Sequence, residues 1–390
     1  MKGSYKILLF LAVLIVGMFI LFFFINRMSI PTPSDYSGGV LPEPTNSENK
    51  NEPGALPNEA LLITTVKISD RPVFDFWINK KTGETYYISS EGNVFSAKNN
   101  EDINLNTQAI ESLNFIVPSP SGERILAALG NPQSPRWGVF DVVDLVWRPM
   151  PETADILAWG ATDDSLVGIL TDKENTNLVY VDISNAVPKI SVVLSDFYLN
   201  DIRLYGGISS SILIAERPGF FYKSRVWEIN FKSGAIKTIN SGENGLTLSF
   251  NDKKTVALKF SAQNGASITD ALLKTIMPLT FVTLPEKCGF GSDIIYCFVP
   301  NDQELFKKNS LPDDYVENKF FSTDNLIKIY PDTDGVSVVA KSGDAGFGVF
   351  DGIHPAVSGD GVIYFINKYD KFLYKTVIEE PGISKQNPAP

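Results

Sequence analysis

Short apolar runs, each introduced by a polar turn, recur along most of the chain. Seven of them read "KTGETYYIS", "SPSGERILAAL", "ATDDSLVGIL", "GISSSILIAE", "FNDKKTVALKF", "FGSDIIYCFV" and "VSGDGVIYFI". The runs are of strand length, rich in β-branched and aromatic residues, and bounded by Gly, Ser, Asp or Asn, the pattern of hairpins rather than helices. The residues just before the runs are Gly83, Gly122, Asp164, Ser210, Lys254, Asp293 and Gly361, spaced 39, 42, 46, 44, 39 and 68 apart. A period of roughly 40–45 residues with several strands per unit predicts four-stranded blades arranged in a ring. The long last interval predicts an insertion, and "NDQELFKKNSLPDDYVENKFF" (301–321) supplies it.

A second hairpin completes several units: "WEINFKSGAIKTI" (227–239), "VYVDISNAVPKISVV" (179–193) and "IKIYPDTDGVSVV" (327–339). The pairing of an "SPSGERI"-type turn with a "WEINFKSG"-type hairpin resembles the TolB-type or WD40-like propeller repeat over roughly residues 60–380. No Gly-His opens a blade and no Trp-Asp closes one, so the resemblance is to the repeat and not to true WD40 signatures. In addition "LPEKC…YCFVP…LPDDY" resembles membrane-anchored bacterial propellers, which implies an envelope location and brings no activity with it. The fold class is therefore all-β, a propeller of seven blades; six or eight follow if a weak repeat, above all the one near Ser210, is miscounted. The last unit, 354–378, supplies only three strands, whereas "ALLITTVKI" (60–68) is β-rich and unpartnered. It is expected to be the outer strand of the last blade, closing the ring and removing a sheet edge.

Ahead of the ring, residues 7–25 form nineteen consecutive residues without a charge. A helix of that length spans about 28 Å, close to the hydrocarbon core of a bilayer. Lys2 and Lys6 precede it and Arg27 follows, a bias that places 1–6 in the cytoplasm and the body outside. The run is longer than a signal-peptide core, and "NRMSIPTPS" has no small-x-small cleavage site, so an uncleaved anchor is expected over a removed signal. Residues 26–59 follow as a linker; the stretch 29–59 holds six prolines and few large apolar residues, which predicts an extended, flexible spacer. A polar tail, 381–390, ends the sequence. The net charge of −11 argues against a nucleic-acid partner held by bulk charge.

Only two cysteines occur, Cys288 and Cys297. A two-residue turn at Ser292-Asp293 would set them opposite each other at a non-hydrogen-bonded site, with Cα atoms about 4.5 Å apart, within disulfide range. In an exported body they are expected to form a structural disulfide rather than a redox pair.

Catalytic and metal-binding patterns are scarce. The one histidine, His354, has neither a second histidine nor H-E-x-x-H spacing beside it, and no G-x-S-x-G elbow is present; it is expected to be a loop histidine hydrogen-bonded near a blade junction. "YPDTDGVSVVAK" (330–341) has Tyr330 and Lys341 where a calcium loop needs acids, and reads as a hairpin turn. The tryptophans and phenylalanines sit in strand-like runs and are expected to fill the spaces between blades. A second excursion, 261–278, is expected to hold a short helix capped by Ser267. No catalytic residue, metal or cofactor is assigned.

The insertion is the candidate recognition element, through Asp313, Asp314, Tyr315 and Glu317. The competing expectation is a lid that packs on the blade edge through Leu311, Tyr315 and Phe320. Together these features point to a non-catalytic, membrane-tethered binding or scaffolding module for an envelope protein, peptide or glycan. The alternative is a carboxylate-dependent glycan hydrolase, which requires two acids converging in one pocket.

Overall fold

The computed structural model describes residues 62–379, apart from 99, 100, 107, 108, 174, 200, 207 and 209. The expected anchor (7–25), the linker (26–59) and the tail (381–390) lie outside the described residues. Among the described residues no helix is long and apolar enough to cross a membrane.

The described strands form seven antiparallel sheets of four. Six are contiguous in sequence: blade 1 (73–104), blade 2 (113–149), blade 3 (154–194), blade 4 (202–244), blade 5 (247–278) and blade 6 (288–340). Blade 7 takes three strands from 352–379 and its fourth from Leu62–Lys67, which pairs with Leu373–Glu379 from Leu62 opposite Glu379 to Lys67 opposite Tyr374. The early β-rich segment thus closes the ring as expected. Each of the seven turns marked in the sequence joins the first and second strands of one blade, including the weak repeat near Ser210.

First strands of neighbouring blades meet, as Val73–Ile78 does with Gly352–Val357 and Ala154–Trp159 with Ile202–Tyr205, which places them around the ring axis. Each junction between blades is filled by its own apolar cluster. Between blades 1 and 2 it holds Trp77, Ile88, Ile125 and Phe140; between blades 6 and 7 it holds Phe298, Leu326, Phe350 and Phe365. The indoles also tie blades by hydrogen bonds, Trp77 Nε1 donating to Gly122 O (3.1 Å) and Trp159 Nε1 to Val117 O (2.8 Å).

The excursion 261–278 differs from expectation. It contains strands Gly265–Asp270 and Thr275–Pro278 and no helix. A three-residue turn, 262–264, is closed by Gly265 at φ +69° opposite Ser261, and residues 266–269 are buried on both faces, as in a strand inside a blade. Ser267 pairs in the ladder with Lys259 and Pro278 instead of capping.

Strand alternation defines two faces. The turns between first and second strands, and those between third and fourth, lie on one face, the turn face. The connections between second and third strands, and the crossovers between blades, lie on the other, the crossover face. The insertion joins Ile295–Pro300 to Asp324–Tyr330, the second and third strands of blade 6, and therefore stands on the crossover face. Leu62 and Glu379, paired at the ends of their strands, lie on the turn face.

Candidate functional site

The insertion folds as two helical turns, Gln303–Lys307 and Asp313–Val316. Asp302 caps the first by accepting from Leu305 N (2.8 Å). Phe306, Leu311 and Tyr315 are buried and Phe320 partly so, packed on Phe260, Ala266 and Leu284. The three aromatic rings meet edge to face at 5.5–5.7 Å. Leu311, Tyr315 and Phe320, the anchors expected of a packing lid, therefore all face inward.

Beneath the insertion lies a polar cluster with almost no access to water. Lys287 Nζ contacts Asp324 Oδ2 (2.7 Å), Asp351 Oδ1 (2.6 Å), Tyr315 Oη (2.8 Å) and Ser322 Oγ (3.1 Å). The Tyr315 hydroxyl donates to Asp351, whose other oxygen accepts from Ser322 N (2.9 Å). Lys368 of blade 7 donates to the Tyr315 carbonyl (2.6 Å) and stands 3.3 Å over its ring. Burial works against the Lys287 ammonium, but Asp324 and Asp351 outweigh it and raise its pKa. Burial raises Asp324 to about 6, with Lys287 opposing and Asp351 adding to the rise. Asp351 is buried too, yet Lys287 and the hydroxyl of Tyr315 hold it below the usual carboxylate range. Burial lowers Lys368 to about 8. Two aspartates do converge here, but both have no exposed surface and share one lysine, so the pair has no opening to a substrate.

Of the sequence-selected acids around this core, Asp314 and Glu317 meet only on the exposed Lys319, and Asp313 turns away to blade 4. Asp313 accepts from Phe220 N (3.0 Å) in the loop of blade 4. Asp314 accepts from Lys319 Nζ (2.8 Å) and Ser310 N (2.8 Å), which lower its pKa. Glu317 is exposed and pairs with Lys319 (2.9 Å). Tyr315 is inside the protein, not on its surface.

What the insertion touches in blade 4 was not singled out from the sequence. The loop "RPGFFY" (217–222) holds Phe221 and Tyr222 in solvent, each 75% exposed. Asp313 holds its backbone, Asn244 Nδ2 donates to Phe220 O (3.1 Å), and Gly219 O accepts from Gly245 N (2.9 Å). Further along the same face, Phe321 stacks on Tyr369 (5.5 Å), whose hydroxyl donates to Ser322 O (3.1 Å). Among the described residues, every strongly exposed aromatic except Phe115 (Tyr198, Phe221, Tyr222, Phe321 and Tyr369) lies on the crossover face. A Pro-Gly turn followed by three aromatics was the available sequence signal for this loop. Lys287, Asp324 and Asp351 gave none, because their meeting depends on the ring.

His354 lies in the first strand of blade 7, at a bulge, with φ +51°. Its Nδ1 is 3.1 Å from Asp75 Oδ1 of blade 1, so it spans a blade junction as expected, from a strand rather than a loop. Burial opposes its charge, but Asp75 outweighs this and raises its pKa to about 9. In the 330–341 segment, 331–334 form the turn between the third and fourth strands of blade 6 and Gly335–Ala340 is the fourth strand. Cys288 and Cys297 are disulfide-bonded, with Cα atoms 4.1 Å apart, and the pairing of Phe290 with Ile295 and Gly289 with Tyr296 follows the expected register.

These features define a seven-bladed β-propeller with a helical insertion pinned to one face. No family model and no curated protein matches the chain. Solved structures share its fold. The β-propeller domain of Cps50 (Swd1) from Myceliophteria thermophila is 11% identical with a TM-score of 0.53, covering 81% of this chain and 99% of that one. Oligogalacturonate lyase from Vibrio parahaemolyticus is 12% identical with a TM-score of 0.53, covering 83% and 98%. An oligogalacturonate lyase in complex with manganese is 13% identical with a TM-score of 0.53, covering 82% and 97%. At such identities the likeness carries the fold alone, and its members include an enzyme.

Proposed function

We propose that the chain is a binding or scaffolding module whose crossover face, built from the insertion and the 217–222 loop, meets a protein, peptide or glycan. The observation that carries this reading is the pair Phe221 and Tyr222, 75% exposed on a loop whose backbone is fixed by Asp313. Solvent-exposed aromatics on a rigid support lose little entropy when a partner covers them, and such residues dominate binding energies. Two further features support it: the insertion acids are engaged by backbone N–H groups and Lys319, and His354 by Asp75.

We also propose that residues 7–25 anchor the chain in the cell membrane with the ring outside it, on the charge bias and length of that run. The hydrolase alternative gains no support from Asp324 and Asp351, the converging acids, which are sealed beneath Tyr315.

The test is affinity capture from native envelope with the full chain, beside Phe221→Ala/Tyr222→Ala. Deleting the insertion is a poor control, because it would strip Tyr315 from the Lys287 cluster. A protein or glycan retained by the wild type and lost from the double variant supports the reading. Capture unchanged by the double variant, or nothing captured, counts against it.

A further inference from the structure

Cys288 and Lys287 are adjacent, and their side chains fasten one segment in two directions. The first strand of blade 6, Cys288–Phe290, has three residues, against four to six in the first strands of the other blades. Gly291 N donates to Ile294 O, so by strand alternation the Cys288–Cys297 pair has no cross-strand backbone bond. The Cys288 N–H turns back to Pro285 O and closes the helical turn Pro285–Lys287. The disulfide thus joins the outermost pair of this short ladder covalently, next to Lys287. One residue earlier, Lys287 reaches Tyr315 of the insertion and both aspartates that flank it.

We propose that the disulfide is a thiol-controlled fastening for the insertion. A dithiol reductant gives two electrons to the S–S bond, which breaks; each cysteine sulfur gains a proton, and the dithiol closes to its own disulfide. The segment 285–288 then loses its tie to Cys297, and Lys287 leaves the cluster. Asp324 and Asp351 are left as buried carboxylates without their shared cation, an arrangement too costly to persist closed. The insertion undocks, taking Phe306, Leu311 and Tyr315 off Phe260, Ala266 and Leu284. The crossover face then changes shape with the thiol state of its surroundings. This device needs no partner and does not rest on the binding reading.

Amide hydrogen exchange on the full chain tests it, oxidised and after treatment with dithiothreitol, with thiols titrated to confirm opening. The reporters are Phe306 and Val316, whose N–H groups bond within the insertion to Asp302 O (3.1 Å) and Pro312 O (3.0 Å). Their exchange is expected to rise about tenfold or more on reduction, as in a local opening, while the ladder of blade 3 keeps its rates. Cys288→Ser/Cys297→Ser is expected to release the same amides without reductant, and a bond that dithiothreitol cannot open in the folded chain overturns the proposal. Lys287→Met, with the disulfide intact, is expected to release the same amides. Unchanged exchange of the insertion in the reduced chain overturns the proposal. So does an equal rise in blade 3, or an insertion still protected in Lys287→Met.

Discussion

A lysine ammonium with no exposed surface must have its charge matched, and Lys287 is matched twice, by Asp324 and Asp351. Removing one member of such a group leaves the others uncompensated, so Lys287→Met is expected to cost about 3–5 kcal/mol, read by denaturant unfolding. A loss below about 1 kcal/mol would mean that the cluster tolerates an empty centre. His354 makes a pH-dependent contribution. Its pKa is raised to about 9 in the folded chain, above about 6.5 unfolded. The stability it adds is therefore full below pH 6.5 and is lost as pH rises through 9. Because the imidazole is 44% exposed, solvent screens part of the effect. Melting temperature is expected to fall across that window, and to fall less in His354→Asn, which tolerates the positive φ. Equal slopes in both proteins would remove His354 from the account of pH dependence. The sequence showed that His354 lacked metal or catalytic companions, but not that Asp75, 279 residues away, would hold it.

Elements were more legible than contacts. Seven hairpins, the closing strand and the Cys288–Cys297 register could be read because period-two patterning and two-residue turns are local signals. The expected helix in 261–278 is a hairpin instead, because Asn264-Gly265 is a stronger local signal for a turn than Ser267 is for a helix cap. The Lys287 cluster lay beyond reach, since residues 287, 324, 351 and 368 meet only when blades 6 and 7 are in place. Two expectations belong at this scale. Opening the ten-residue disulfide loop by Cys288→Ser/Cys297→Ser is expected to cost more than the roughly 2.5–3 kcal/mol of the chain-entropy relation, since the insertion's packing is lost as well, measured by urea unfolding. Gly346 sits at φ +81°, where an added Cβ would come 2.0 Å from the Ile63 carbonyl oxygen of the closing strand. Gly346→Ala is thus expected to destabilise the ring by about 1–3 kcal/mol and to speed proteolysis near 62–67. Unaltered melting and cleavage would show that the closing strand yields freely.

At the scale of the whole molecule the ring divides its labour between two faces. The turn face receives the chain at Leu62 and releases it at Glu379, while the crossover face carries the insertion and most exposed aromatics. The repeat spacing foretold both the ring and the place of the insertion along the chain. It could not tell which insertion residues face water, because Tyr315 and Phe306 look as suited to a partner as Phe221 and Tyr222 until burial separates them. The most direct measurement is site-specific photo-crosslinking in native envelope. A photoreactive amino acid would replace Tyr222 on the crossover face or Val187, 80% exposed on the turn face of blade 3. Discrete adducts at 222 and none at 187 are predicted. Adducts at 187 alone, or at neither position, would contradict a binding function for the crossover face.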